Sequence, residues 1–184
     1  MTIENVEVGH YSIPLPVVLS DSMHGDMASF ELMTARILDD EGREGLGYTY
    51  TLGAGARAIH SVMHSDMAPF LMDRDETRIE EIWHGLWWKL HYAGRGGLVI
   101  HALSAIDIAL WDLLGKRTSL PLWRLLGGAD PKVKAYAGGI DLMFSLDDLL
   151  AQTDQNLSKG FRAIKMKVGR DNLNEDVERI KTCL

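Results

Sequence analysis

The feature that most constrains this chain is a change of periodicity at Asp130-Pro131. Beyond that point strand-like and helix-like segments alternate. Lys132–Ala137 reads as a strand, Leu146–Ser158 as a helix and Arg162–Val168 as a second strand. Asn172–Leu184 reads as a helix with Leu173, Val177, Ile180 and Leu184 on one face. A βαβα run makes the strands parallel, because parallel neighbours need a long crossover and the crossover helix covers the sheet. Lys132 to Arg162 spans about thirty residues, close to the roughly thirty-one of one unit in a (β/α)₈ barrel. The sequence therefore predicts one domain over 1–130 and the first units of a TIM barrel over 131–184. Fewer than two units fit, so the barrel is expected to be truncated.

The first domain reads as α+β. Ile3–Ile13 is a strand candidate, stopped by Pro14 and Pro16. Val17–Ser29 reads as a long polar loop, and long loops are often functional. Phe30–Leu38 and Glu44–Thr51 form a hairpin around the turn Asp39-Asp40-Glu41-Gly42. Helices are predicted over Ala56–Met72, Glu76–Tyr92 and Gly97–Lys116 from apolar residues at helical spacing. The third is apolar almost all round, as a buried helix is, and Asp112 and Lys116 can pair at i,i+4. Pro121 opens a short helical turn that Gly127-Gly128 closes.

Charge and composition narrow the function. The net charge of -7 argues against a nucleic-acid partner, which needs a basic face. The single cysteine, Cys183, excludes a disulfide scaffold. Met1–Val8 is no signal peptide, and polar residues interrupt Leu98–Leu114, so no membrane partner is predicted and a cytoplasmic location is expected.

The chemistry sits in Ala163-Ile164-Lys165-Met166-Lys167-Val168-Gly169. Alternation puts Ile164, Met166 and Val168 on one face of a strand and Lys165 and Lys167 on the other. The helix-covered outer face of a barrel is apolar, so the lysines point inward, near the strand end where barrel active sites lie. Two ammonium groups side by side disfavour each other's charge, which suits one of them to act as a general base. A Schiff-base role and a solvated edge strand are the alternatives.

These residues, together with Gly45-Leu46-Gly47-Tyr48, the run Ala102–Asp112 continuing to Gly115-Lys116, Pro121-Leu122 and Leu125-Leu126-Gly127, resemble the mandelate racemase and muconate lactonizing enzyme branch of the enolase superfamily. Leu15-Pro16 to Ser20-Asp21, with Gly94-Arg95-Gly96-Gly97, is most similar to the acid-sugar dehydratases of that branch, such as the galactarate and talarate enzymes. The resemblance implies a capping domain followed by a modified barrel. It implies that Lys167 abstracts the proton α to a carboxylate and that Lys165 modulates it. It implies a Mg²⁺ ion whose three acidic ligands lie on later strands, beyond residue 184, with none in this chain. This enzyme class is also one that general accounts of lysine-base and Mg²⁺ chemistry cite. Ser20, Asp21, His24, Tyr48 and Tyr50 match the capping loops that bind substrate. The expected reaction is dehydration of a sugar acid, with racemisation or cycloisomerisation as alternatives. A third possibility is a catalytically inactive fragment that only assembles, and exposed strand edges suggest a homo-oligomer.

Other motifs carry less. His60 and His64 lack the Glu of a zincin helix. His84, His91 and His101 sit among apolar residues and are expected in the core or at its rim. Trp83, Trp87 and Trp88 read as packing. Gly94-Arg95-Gly96-Gly97 has no preceding strand, so it is no dinucleotide loop.

Overall fold

The computed structural model describes residues 1–183 and divides them into two compact units. The first joins Met1–Ile13 to Phe30–Pro131. The second joins Pro14–Ser29 to the chain from Lys132 onward.

Strands β1 (Ile3–Asp21), β2 (Gly25–Asp39) and β3 (Glu44–Thr51) form one sheet in the order β1-β2-β3. Two expectations are corrected here. Pro14 and Pro16 do not stop β1, and Val17–Ser29 is not a loop but the tip of a long hairpin turning at 22–24. β1 is an edge strand. Two prolines two residues apart lose N–H groups on the same side, and an edge strand has one side with no ladder to break. β2 and β3 pair antiparallel from Glu31↔Thr51 to Leu38↔Glu44, as the turn residues predict.

Helix α1 (Ala56–Val62), a π-helical turn (Met63–Met67) and α2 (Ala68–Leu71) follow without a break over the predicted first helix. The wide turn comes directly before Pro69, whose missing N–H an ordinary α-turn would need. Helices α3 (Ile79–Lys89), α4 (Leu98–Thr118) and α5 (Leu122–Leu125) complete the unit. α4 is long and apolar enough to cross a membrane, but it is the core helix here. Gly45, Gly47 and Thr49 form the buried face of β3, while Leu46, Tyr48 and Tyr50 are exposed. A Cβ at Gly47 would lie 2.0 Å from the Ala105 carbonyl oxygen, and one at Gly45 2.1 Å from that of Ala109. The glycines and the alanines together let strand and helix backbones meet. Asp112 accepts the Leu46 N–H at 2.8 Å and pairs with Lys116, which donates to the Glu44 carbonyl. Trp83 and Trp87 stack at 5.0 Å, and both pack against the core. His84, His91 and His101, expected in or near the core, are exposed. The His101 ring instead meets the Thr49 hydroxyl at 3.1 Å.

In the second unit β4 (Ala137–Gly138) and β5 (Ile164–Lys165) pair in parallel, Ala137 with Ile164 and Gly138 with Lys165. Both strands are shorter than their periodicity suggests, because each has only the other as neighbour among the described residues. α6 (Leu146–Ser158) starts where Ser145 accepts the Asp148 N–H at 3.1 Å. α7 (Leu173–Cys183) carries a correction. Its expected apolar face, Leu173, Val177 and Ile180, is exposed, and its buried residues are Asp176 and Arg179. Leu184, the last residue of that face, lies outside the described residues.

Candidate active site

The site is built where β4 and β5 end. The ladder runs from the Ala137 N–H to Ala163 and from the Gly139 N–H to Lys165. The next parallel step would take the Lys167 N–H to the Gly139 carbonyl. It goes instead to Asp141 Oδ1, at 2.7 Å. Asp141 is 1% exposed, and its Oδ2 has no partner among the described residues. A Cβ at Gly139 would lie 2.0 Å from that oxygen, so glycine makes room for the carboxylate.

Two arginines brace the loop after β4. Arg179, itself buried, donates to the carbonyls of Phe144 at 2.6 Å and Asp141 at 2.8 Å. Arg170 donates to those of Leu142 and Phe144. Asp176 accepts the N–H groups of Gly169 and Arg170, fixing the turn between β5 and α7. This network explains why α7 turns its charged face inward, since backbone groups buried there need partners.

The hairpin tip belongs to the same unit. Ser20 bridges to Asp141, and the Ser20 carbonyl accepts the Leu142 N–H at 3.3 Å. Asp21 Oδ1 accepts the N–H groups of Met23 at 2.9 Å and His24 at 2.7 Å. His24 Nδ1 lies 3.0 Å from both carboxylate oxygens and donates to them. The imidazole of His24 first, then its backbone N–H, hold the Asp21 carboxyl well below the usual carboxylate range. Asp21 Oδ2 stands 3.5 Å from Lys167 Nζ.

The structure thus brings Ser20, Asp21, His24 and Lys167 together. Lys167 is half-buried, but Lys165 is exposed, so the closed interior expected around both lysines is not formed by the described residues. Tyr48 and Tyr50 lie on the exposed face of β3 in the first unit, with Tyr50 edge-on to Phe30 at 5.7 Å. Asp141 escaped the reading of the sequence. Its signal was Gly138-Gly139 just before an acidic residue at the end of the first parallel strand.

Elsewhere, Glu31 meets His10 Nε2 at 2.6 Å, and the Ser12 hydroxyl first, then His10, lower its carboxyl. His60 and His64 stack at 5.9 Å. Among the described residues no group of three or more His, Cys, Asp or Glu side chains could hold a metal ion. The residues present do not by themselves fit a magnesium site.

Comparison with known proteins places this geometry. The N-terminal domain of mandelate racemase / muconate lactonizing enzyme matches residues 5–127. The 3,6-anhydro-alpha-L-galactonate cycloisomerase of Streptomyces coelicolor is 54% identical over 97% of this chain and 49% of its own length. The L-talarate/galactarate dehydratase of Salmonella typhimurium is 34% identical over 97% of this chain and 46% of its own. A Streptomyces coelicolor racemase, solved with bound magnesium, superposes with a TM-score of 0.93 at 54% identity, over 97% of this chain and 50% of its own. The Salmonella dehydratase, solved with Mg and L-lyxarohydroxamate, gives 0.92 at 32% identity, over 98% and 48%. The chain spans about half the length of the curated relatives it matches. The three-stranded sheet with its helices is the capping domain of these enzymes, the βαβα run follows it, and the chain belongs to the mandelate racemase / muconate lactonizing enzyme family of the enolase superfamily.

Proposed function

We propose that this chain supplies the base of an enzyme that removes the proton α to the carboxylate of a sugar acid and then expels the oxygen on the β-carbon. The observation that carries the reading is Lys167, half-buried at the end of β5 with its backbone pinned by the buried Asp141. A base must be held within reach of one proton, and a pinned backbone does that better than a free loop.

The neutral amine of Lys167 takes the α-proton and becomes an ammonium. The electron pair of the broken C–H bond moves into the carboxylate as an enediolate. It then returns to form a double bond between the α- and β-carbons as the β-oxygen leaves and takes up a proton. Lys165, the first lysine of the pair, is the residue this reading assigns to modulate Lys167. Magnesium, present in the relatives' structures, would supply positive charge to the carboxylate; the described residues hold no group of three side chains that could bind it.

The identity of the β-oxygen decides the net reaction. If it belongs to a ring ether, the ring opens and the product is an isomer. If it is a hydroxyl, water is lost. The 54% identity to a cycloisomerase of an anhydro sugar acid favours the first. The 34% identity to a sugar-acid dehydratase supports the second. The test incubates the full-length protein and Mg²⁺ with 3,6-anhydrogalactonate, galactarate and talarate in D₂O. We expect an isomeric 2-keto acid from the anhydro acid, carrying deuterium at the β-carbon, where the enol takes up its proton. Loss of water points to dehydration, and exchange without other change to racemisation. If none of the three yields a β-deuterated product or α-deuterated substrate, the reading is overturned.

A further inference from the structure

The hairpin tip does more than border the site. Its turn is seated on the segment between β5 and α7, where Gly169 has φ +116° and a Cβ would lie 2.8 Å from Ser22 Cβ. Only a glycine leaves room for that approach. The seat brings the Asp21 carboxylate to 3.5 Å from Lys167 Nζ, with the two side chains 12% and 25% exposed. Three N–H donors on the tip fix the carboxylate: those of Met23, His24 and the His24 ring. A base that must be neutral thus faces a fixed negative charge. We propose that Asp21 is a positioning residue for Lys167, a counter-ion carried on the hairpin tip that holds the ammonium in place and must be displaced before the amine can take a proton. This inference rests on the reading of Lys167 as the base.

The other ionisable groups around Lys167 do not replace Asp21. Asp141 at the end of β4 accepts the backbone N–H. Arg170 and Asp176 are engaged with backbone groups of the turns. His24 is bound to Asp21 itself. Lys165 is exposed and carries the same charge as Lys167, so it supplies no counter-ion. The tip thereby acts as a substrate-sensitive latch, since an incoming carboxylate competes with Asp21 for the same ammonium.

The experiment uses the full-length protein with Asp21→Asn, which keeps an oxygen for the N–H donors and removes the charge. Two readouts are compared with the parent: the pH profile of kcat/KM, and the NMR titration of the ¹³C-methylated Lys167 amine, assigned by its loss in Lys167→Arg. We expect the acid limb and the titration both to move to lower pH by about one unit, as loss of a close opposite charge does. Asp21→Glu should restore part of the shift. If neither readout moves, the inference is overturned, even where Lys167→Ala is inactive and the base reading stands. If the titration moves while Lys167→Ala retains full turnover, the counter-ion stands and the base reading falls.

Discussion

Lys167 shows how a single side chain depends on others that carry no chemistry. Its backbone is held by Asp141, and the loop bearing Asp141 is held by Arg179 and Arg170. Arg179→Met should lower thermal stability by about 1–3 kcal/mol, because the buried Asp141 carbonyl loses its donor while that of Phe144 keeps Arg170. Thermal melts followed by circular dichroism check it. Asp39 tests electrostatics in the first unit. Burial pushes its carboxyl up, but the Arg43 guanidinium and the Arg43 and Glu41 N–H groups outweigh this and hold it below its ordinary 3.8. A depressed carboxyl contributes stability above its unfolded value and loses it as pH falls through its folded value. Asp39→Asn should therefore cost about 2 kcal/mol at neutral pH, and the gap to the parent should narrow as the solution is acidified below 3.8. Denaturant titrations over that range decide it, and a gap that stays constant would contradict it. At this scale alternation predicted both lysines on one inner face, but Lys165 is exposed and only Lys167 is half-buried. The hold of Asp141 on the Lys167 backbone was not legible, because it joins residues far apart in sequence.

The pairing of β3 with α4 is the clearest case of an element specified by its sequence. Gly45 and Gly47 alternate with exposed residues and face Ala105 and Ala109, so a motif with almost no side chain is the contact itself. Gly47→Ala should destabilise the first unit by about 3 kcal/mol, since its Cβ would overlap backbone rather than a movable side chain. An unchanged melting temperature would show that the strand can retreat. β1 was less legible. Proline is a stop signal for a central strand, and nothing local reveals that a strand lies at an edge. α7 was misread for a related reason. Its apolar stripe was plain in the periodicity, but the backbone groups of two turns claimed Asp176 and Arg179 for the inner face. β4 and β5 pair over two residues each, against eight pairs between β2 and β3. Their amides should exchange hydrogen faster than those of β3 and α4, because so short a ladder opens locally.

For the whole molecule, the change of periodicity at Asp130-Pro131 marked the boundary between an α+β domain and a βαβα run, and the family resemblance of the motifs implied that the first is a capping domain. The grouping of Pro14–Ser29 with the later strands was not readable, since it depends on where a hairpin tip ends in space. Because the described residues offer no cluster of three metal-binding side chains, calorimetry of Mg²⁺ into the 184-residue chain should show no tight stoichiometric site. A tight site would contradict that. The central claim is that Lys167 takes the α-proton. Its most direct test is the rate at which the α-proton passes into solvent in the full-length protein, by exchange or by product formation, parent against Lys167→Ala, on whichever sugar acid the parent turns over. The account predicts a loss of about 10²–10⁴-fold, the usual contribution of a general base, with the fold retained. Exchange at the parental rate would contradict it.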